Sequence, residues 1–188
     1  MERIRIFFEE LVPMSDSDWS IFSSFLQPAQ YTKRSPLLKL GQVEKHLSFI
    51  AQGSARLFIP GLDNDQTFGF CFENQFVSAY DSFLTQTPCH YQVEAMTDTT
   101  LWRITHADLQ TVYQETSIGS TIGRLIAEQL YLMKTERERS FLTETAEDRY
   151  LALFEKRPQL LREIPLKHIA SYIGVTPQAL SRIRKRIS

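Results

Sequence analysis

The chain has 188 residues, 43% of them hydrophobic and 23% charged, with a formal net charge of −1. That suits one globular domain with a small second one, and it excludes a disordered or strongly basic chain. The two cysteines, Cys71 and Cys89, exclude a disulfide scaffold. No apolar run approaches the ~20 residues of a membrane helix. The start, MERIR, lacks a secretory leader's apolar stretch, so a cytoplasmic protein with no membrane partner is expected.

Residues 2–12 and 16–27 carry helical spacing. Ser15 or Asp16 can cap the second of these helices, and Trp19, Phe22, Phe25 and Leu26 share a face. From about 36 to 105 the period changes. Residues 47–53 (LSFIAQG), 55–59 (ARLFI), 67–72 (TFGFCF), 91–95 (YQVEA) and 101–104 (LWRI) are short strand-like runs. They are separated by Gly53, Pro60-Gly61, Asp63-Asn64 and Thr97-Asp98. Many short strands at even spacing predict an antiparallel barrel, sandwich or jelly roll.

From about 106 the chain is helical again. Ile118, Ile122, Leu125, Gln129 and Leu132 form one row, and Ile126, Leu130 and Met133 a neighbouring one. Either one row packs on the β domain while the other meets a copy of itself, or the whole helix is buried within its own domain. Residues 139–145 read as a hinge. Thr143 or Thr145 can cap a further helix, with Glu147 and Asp148 in its first turn, running through Tyr150, Leu153 and Phe154 and stopping before Pro158. The domain boundary falls near 140.

The C-terminus is unlike the rest of a nearly neutral chain. From 177 to 188 it holds four basic residues, Arg182, Arg184, Lys185 and Arg186, and no acidic one. Residues 166–185 (LKHIASYIGVTPQALSRIRK) have helix-turn-helix spacing. Ile169 and Ile173 form the inner face of a first helix, and Ala170 is small where a second helix crosses. Gly174 supplies the turn and Val175 plugs the corner. Thr176 caps the second helix, Pro177 opens it, and Leu180 and Ile183 form its inner face. Gln178, Ser181, Arg182 and Lys185 are then left facing outward. On a helix entering a major groove, Arg182 suits guanine and Gln178 adenine, while Thr176, Lys185 and Arg186 suit phosphates. Ser188 follows almost at once, so no β-wing is expected after the second helix and the helices themselves must reach the phosphates.

The order of helices, β domain, long helix and helix-turn-helix resembles the Crp/Fnr-type (catabolite activator-like) regulators. Residues 40–42 (LGQ) look like that family's early β-roll turn, 47–57 (LSFIAQGSARL) like its strand pair, and 94–101 (EAMTDTTL) like the strand after its effector cassette. The resemblance implies an α+β fold in three parts. Residues 1–111 would be a double-stranded β-roll, a cyclic-nucleotide-binding-like jelly roll that senses an effector. Residues 112–138 would be a dimerisation helix, and 139–188 a helix-turn-helix DNA-binding domain. It implies a transcription regulator that binds a palindromic DNA operator as a homodimer and contacts RNA polymerase.

The cassette departs from the cyclic-nucleotide pattern. Cyclic AMP-binding members carry Phe-Gly-Glu and later Arg-Ser or Arg-Thr, but Phe76, Val77, Ser78 and Ala79 stand at the first motif and Cys89-His90 at the second. No arginine occurs between Arg56 and Arg103. A phosphate there would lack its strongest charge-assisted partner. His90 is a poor substitute at neutral pH. The expected effector pocket is Phe76, Val77, Ser78, Ala79, Tyr80, Asp81, Cys89, His90 and Tyr91. An unidentified small molecule other than cyclic AMP, constitutive activity with a vestigial cavity, and weak cyclic-nucleotide binding all stay open. So does a protein-interaction module.

Enzyme classes fit poorly. The histidines (46, 90, 106, 168) are scattered with no His-x-His pair, and neighbouring Cys89 and His90 would face opposite sides of a strand, so no metal site is expected. No N-terminal cysteine cluster points to an iron–sulfur centre, and no Gly-x-Ser-x-Gly elbow points to a serine nucleophile.

Overall fold

The computed structural model describes residues 1–187; Ser188 lies outside the described residues. In chain order the elements are α1 (Glu2–Glu9), α2 (Asp16–Ser24), β1 (Gln27–Tyr31), β2 (Pro36–Leu38), β3 (His46–Gln52), β4 (Ser54–Ile59), β5 (Gln66–Phe72), β6 (Phe76–Val77), α3 (Tyr80–Thr85), β7 (Gln92–Ala95), β8 (Thr99–Thr105), α4 (His106–Glu115), α5 (Gly119–Thr143), α6 (Ala146–Lys156), α7 (Pro158–Glu163), α8 (Leu166–Tyr172) and α9 (Pro177–Ile187). The strands form two four-stranded sheets, in the orders β1-β8-β3-β6 and β2-β7-β4-β5. The chain divides into two compact units. One is Met1–Leu57 with Phe70–Gln129; the other is Phe58–Gly69 with the chain from Leu130 onward.

The first unit is the body of a β-roll with a helical cover. β8 pairs antiparallel with β1 (Ala29 opposite Leu101) and with β3 (Leu47 opposite Ile104). Four successive residues of β3, from Leu47 to Ile50, are buried, because both faces of this strand are covered. Leu47, Phe49 and Ile104 pack with Ile4 and Phe8 of α1, Phe22 of α2, Leu109 and Val112 of α4, and Ile118 and Ile122. Ser15 caps α2, accepting from the Asp18 N–H at 3.1 Å. Gly53 joins β3 to β4 with φ +94°, and a Cβ there would lie 2.5 Å from the Asp98 carbonyl oxygen, so only glycine fits.

Two features of this unit differ from the sequence expectation. Residues 27–31 form a strand although Pro28 interrupts any strand pattern. β1 is an edge strand, the place in a sheet where proline is tolerated. The long helix also begins later than 112. The chain breaks between α4 and α5, where the Thr116 hydroxyl accepts from the Gly119 N–H at 2.9 Å and Asp18 accepts from the N–H and hydroxyl of Ser117 at 2.9 and 3.0 Å.

The second unit holds the tip of the β4–β5 hairpin, the C-terminal part of α5, and α6 to α9. The helix α5 continues through the expected hinge to Thr143, and Thr145 rather than Thr143 caps α6. Thr145 and Asp148 exchange bonds as a capping box. Pro158 opens the short α7. Tyr150, Leu153, Leu160, Ile164, Ile169, Ile173 and Leu180 form the core. The hairpin tip is bonded into this unit: the Ser171 hydroxyl donates to the Asp65 carbonyl at 2.6 Å and accepts from the Thr67 N–H at 2.8 Å, and the Lys134 ammonium lies 4.9 Å above the Phe68 ring. Among the described residues no helix is long and apolar enough to cross a membrane, and no three metal-ligating side chains cluster.

Candidate functional site

The helices α8 and α9 are joined by a short turn whose geometry follows from its residues. Gly174 takes φ +81° and its N–H closes on the Ser171 carbonyl, while the Val175 N–H reaches back to the Ala170 carbonyl at 2.9 Å. Thr176 then caps α9, its hydroxyl accepting from the Ala179 N–H at 3.2 Å. Ile169, Ala170 and Ile173 are buried under Leu180 and Ile183, which are the only buried residues of α9. Thr176, Pro177, Gln178, Ser181, Arg182, Lys185 and Arg186 are all exposed. Arg186 forms an ion pair with Glu147 of α6. The outward face thus carries an amide near the N-terminal end of α9, Gln178, and cations from Arg182 in its middle to Lys185 and Arg186 in its last turn.

A lattice of arginines and aromatic rings, missed in the sequence, holds α8 in place. The Arg137 guanidinium lies 4.3 Å from the Tyr172 ring centroid and 4.5 Å from that of Phe141, and Arg149 lies 4.5 Å from Phe141. Arg137 and Arg149 also donate at 3.0 Å to the carbonyls of Tyr172 and Ile173, the orphan acceptors at the end of α8. Arg157 donates to the Tyr172 hydroxyl at 2.9 Å. Burial pushes the Arg137 pKa down against the pull of Tyr172. The spacing of Arg137 and Phe141, one helical turn, was the signal available.

In the β-roll the cassette residues do not all converge. Phe76 belongs to the core, its ring centroid 5.2 Å from Phe49 and 5.4 Å from Phe7. Tyr80 stacks on Phe83. The Tyr91 hydroxyl donates to Asp81 at 2.5 Å, and burial, then that carboxylate, push its pKa upward. The Cys89 thiol is buried against the Tyr91 carbonyl, with its pKa raised chiefly by burial, and His90 is exposed. Ala79 is buried. Val77 and Ser78 alone of this set line a cavity of about 20 Å³, with Tyr31, Glu44, His46, Ser48 and Arg103 as its other polar or charged walls. Glu44 is the unexpected member. Its carboxylate accepts from the backbone N–H of His46 at 3.0 Å and of Ala79 at 3.4 Å, and burial raises its pKa.

Residues 28–116 match the family model of the cyclic nucleotide-binding domain. Over the longer chain, solved structures agree with this one. The c-di-GMP responsive global regulator CLP of Xanthomonas campestris aligns with a TM-score of 0.68 at 18% identity, covering 92% of this chain and 91% of that one. A Crp/Fnr-family transcriptional regulator of Eubacterium rectale aligns with a TM-score of 0.70 at 14% identity, covering 92% and 83%. The fold is that of the Crp/Fnr regulators. The catabolite activator protein of Thermus thermophilus is similar too, with a TM-score of 0.57 at 20% identity and coverage of 94% and 85%. No curated protein sequence matches the chain significantly. At the position expected for the cassette's second motif residue, Ala79 turns its N–H to an internal carboxylate, Glu44.

Proposed function

We propose that this protein is a sequence-specific DNA-binding transcription regulator of the Crp/Fnr type, acting in the cytoplasm and not as an enzyme. The observation that carries the reading is α9: Leu180 and Ile183 are buried, while Gln178, Ser181, Arg182 and Lys185 face outward from a Thr176-capped start. A homodimer reads a palindromic operator and contacts RNA polymerase. Tyr131, Leu132 and Met133, exposed on α5, supply apolar surface for the second copy.

The β-roll serves as the sensor of a small molecule other than cyclic AMP, or leaves the protein constitutively active. The region around Phe76 to Asp81 and Cys89 to Tyr91 is its proposed effector site; in the absence of a cassette arginine, calorimetry with cyclic AMP should give no micromolar binding. A gel-shift selection from random duplexes, repeated at several salt concentrations, tests the central reading. Enrichment of one inverted repeat, with affinity falling steeply as salt rises, is the expected result. Retention of no duplex at low salt would refute it.

A further inference from the structure

We infer that the interior of the β-roll takes up one small monovalent oxyanion, of the size of formate, nitrate or bicarbonate, together with a proton. The site is the cavity between β1, β3, β8 and the loop before β3, and apart from Val77 and Ser78 it is built from residues outside the cassette. Leu37, Val93 and Leu101 make one part of its wall apolar. At about 20 Å³ it has room on the order of one or two waters, which excludes a nucleotide.

Its polar groups leave a specific demand. The Arg103 Nη1 donates to the Tyr31 hydroxyl at 3.1 Å, but the Arg103 Nε–H is buried with no acceptor. Guanidinium groups have no acceptor capacity, so only an acceptor can satisfy that donor. Ser48, 7% exposed, adds a hydroxyl. Glu44, 9% exposed, lines the same cavity, and an anion entering beside its ionised form would meet like charge. A proton from solvent on Glu44 removes that repulsion and turns the carboxyl into a donor toward the anion. Burial already favours this protonated form. The other charged or titratable groups acting here are Arg103, Lys45 and Asp108, all felt by His46, whose pKa burial first and then Arg103 and Lys45 lower, against Asp108.

This site deepens the sensor reading of the β-roll, but its binding is measured without DNA. The full-length protein is titrated calorimetrically with sodium formate at constant ionic strength, in two buffers of different ionisation heat. The expected result is saturable one-site binding, with about one proton taken up and affinity falling about tenfold per pH unit on the alkaline side of the Glu44 titration. Glu44→Gln should bind without proton uptake and keep its affinity on the alkaline side where wild type loses it. Arg103→Lys should weaken binding by about tenfold or more. Ser48→Ala, a smaller change, should weaken it severalfold and serves where the arginine variant does not fold. No saturable heat from formate, nitrate or bicarbonate in either wild type or Glu44→Gln overturns the site, as does binding that the Glu44 and Ser48 variants leave unchanged. Formate binding in a protein that retains no DNA would refute the regulator and leave the site standing.

Discussion

The guanidinium of Arg137 sits 4.3 Å from the centroid of the Tyr172 ring while its Nη2 donates at 3.0 Å to the carbonyl of the same residue. One side chain from α5 thereby grips both the face and the backbone of the last residue of α8. Phe141 and Arg149 extend the grip to Ile173. Such contacts are directional, so they fix where α8 ends as well as how firmly it is held.

Arg137→Lys should destabilise the protein by about 1–2 kcal/mol, because an ammonium keeps the charge but loses the planar fork that serves ring and carbonyl together. Denaturant unfolding measures this. A variant with an unchanged midpoint would mean that the stacking contributes nothing net.

Gly174→Ala meets two costs. The residue has φ +81°, and an added Cβ would approach Phe141 Cε1 to 2.7 Å. The backbone term alone is about 1–2 kcal/mol. A double-mutant cycle with Phe141→Ala separates the steric term: the glycine substitution should cost less in that background, and strict additivity would place the whole effect in the backbone.

On α9, Arg182→Ala and Lys185→Ala should fail differently. Arg182, proposed to read a base, should cost ~1–3 kcal/mol at the selected operator and relax one base pair of specificity. Lys185, proposed to hold a phosphate, should weaken binding to all sequences and lower the salt slope by about one. Equal losses across all duplexes for Arg182→Ala would reassign it to a phosphate.

Glu44 gives a pH signature of defined sign. Burial raises its carboxyl pKa above the ordinary range, against the backbone donors His46 and Ala79. The folded state therefore holds this proton more tightly than the unfolded chain. Its contribution is fully present below the usual glutamate range and is lost as pH rises through the raised value. The melting temperature of Glu44→Gln relative to wild type should accordingly climb as pH rises out of the usual glutamate range. A constant difference would show that Glu44 titrates normally.

Much of this architecture could be read from periodicity. The runs at 47–59, 67–72 and 91–104 became β3, β4, β5, β7 and β8, and the order of elements carried the Crp/Fnr resemblance. The turn chemistry of Gly174, Thr176 and Pro177 marked α8 and α9 because each residue meets a local backbone requirement. What escaped depends on distant partners. Pro28 hides an edge strand, since only the sheet order shows that β1 has a single neighbour. The α4–α5 break depends on Asp18 reaching Ser117. Glu44, between Val43 and Lys45, reads as a solvated loop residue until the fold sets Arg103 beside the same cavity.

The Ser171 hydroxyl is satisfied by Asp65 and Thr67, which lie on a hairpin far upstream in the chain. A fragment beginning at Leu130 would carry α6 to α9 without either partner. The C-terminal helices are thus not a transplantable cassette. Grafting them onto a different sensor would have to bring the 58–69 segment along, and a gene fusion cut near residue 140 would leave behind a piece of the unit it meant to move.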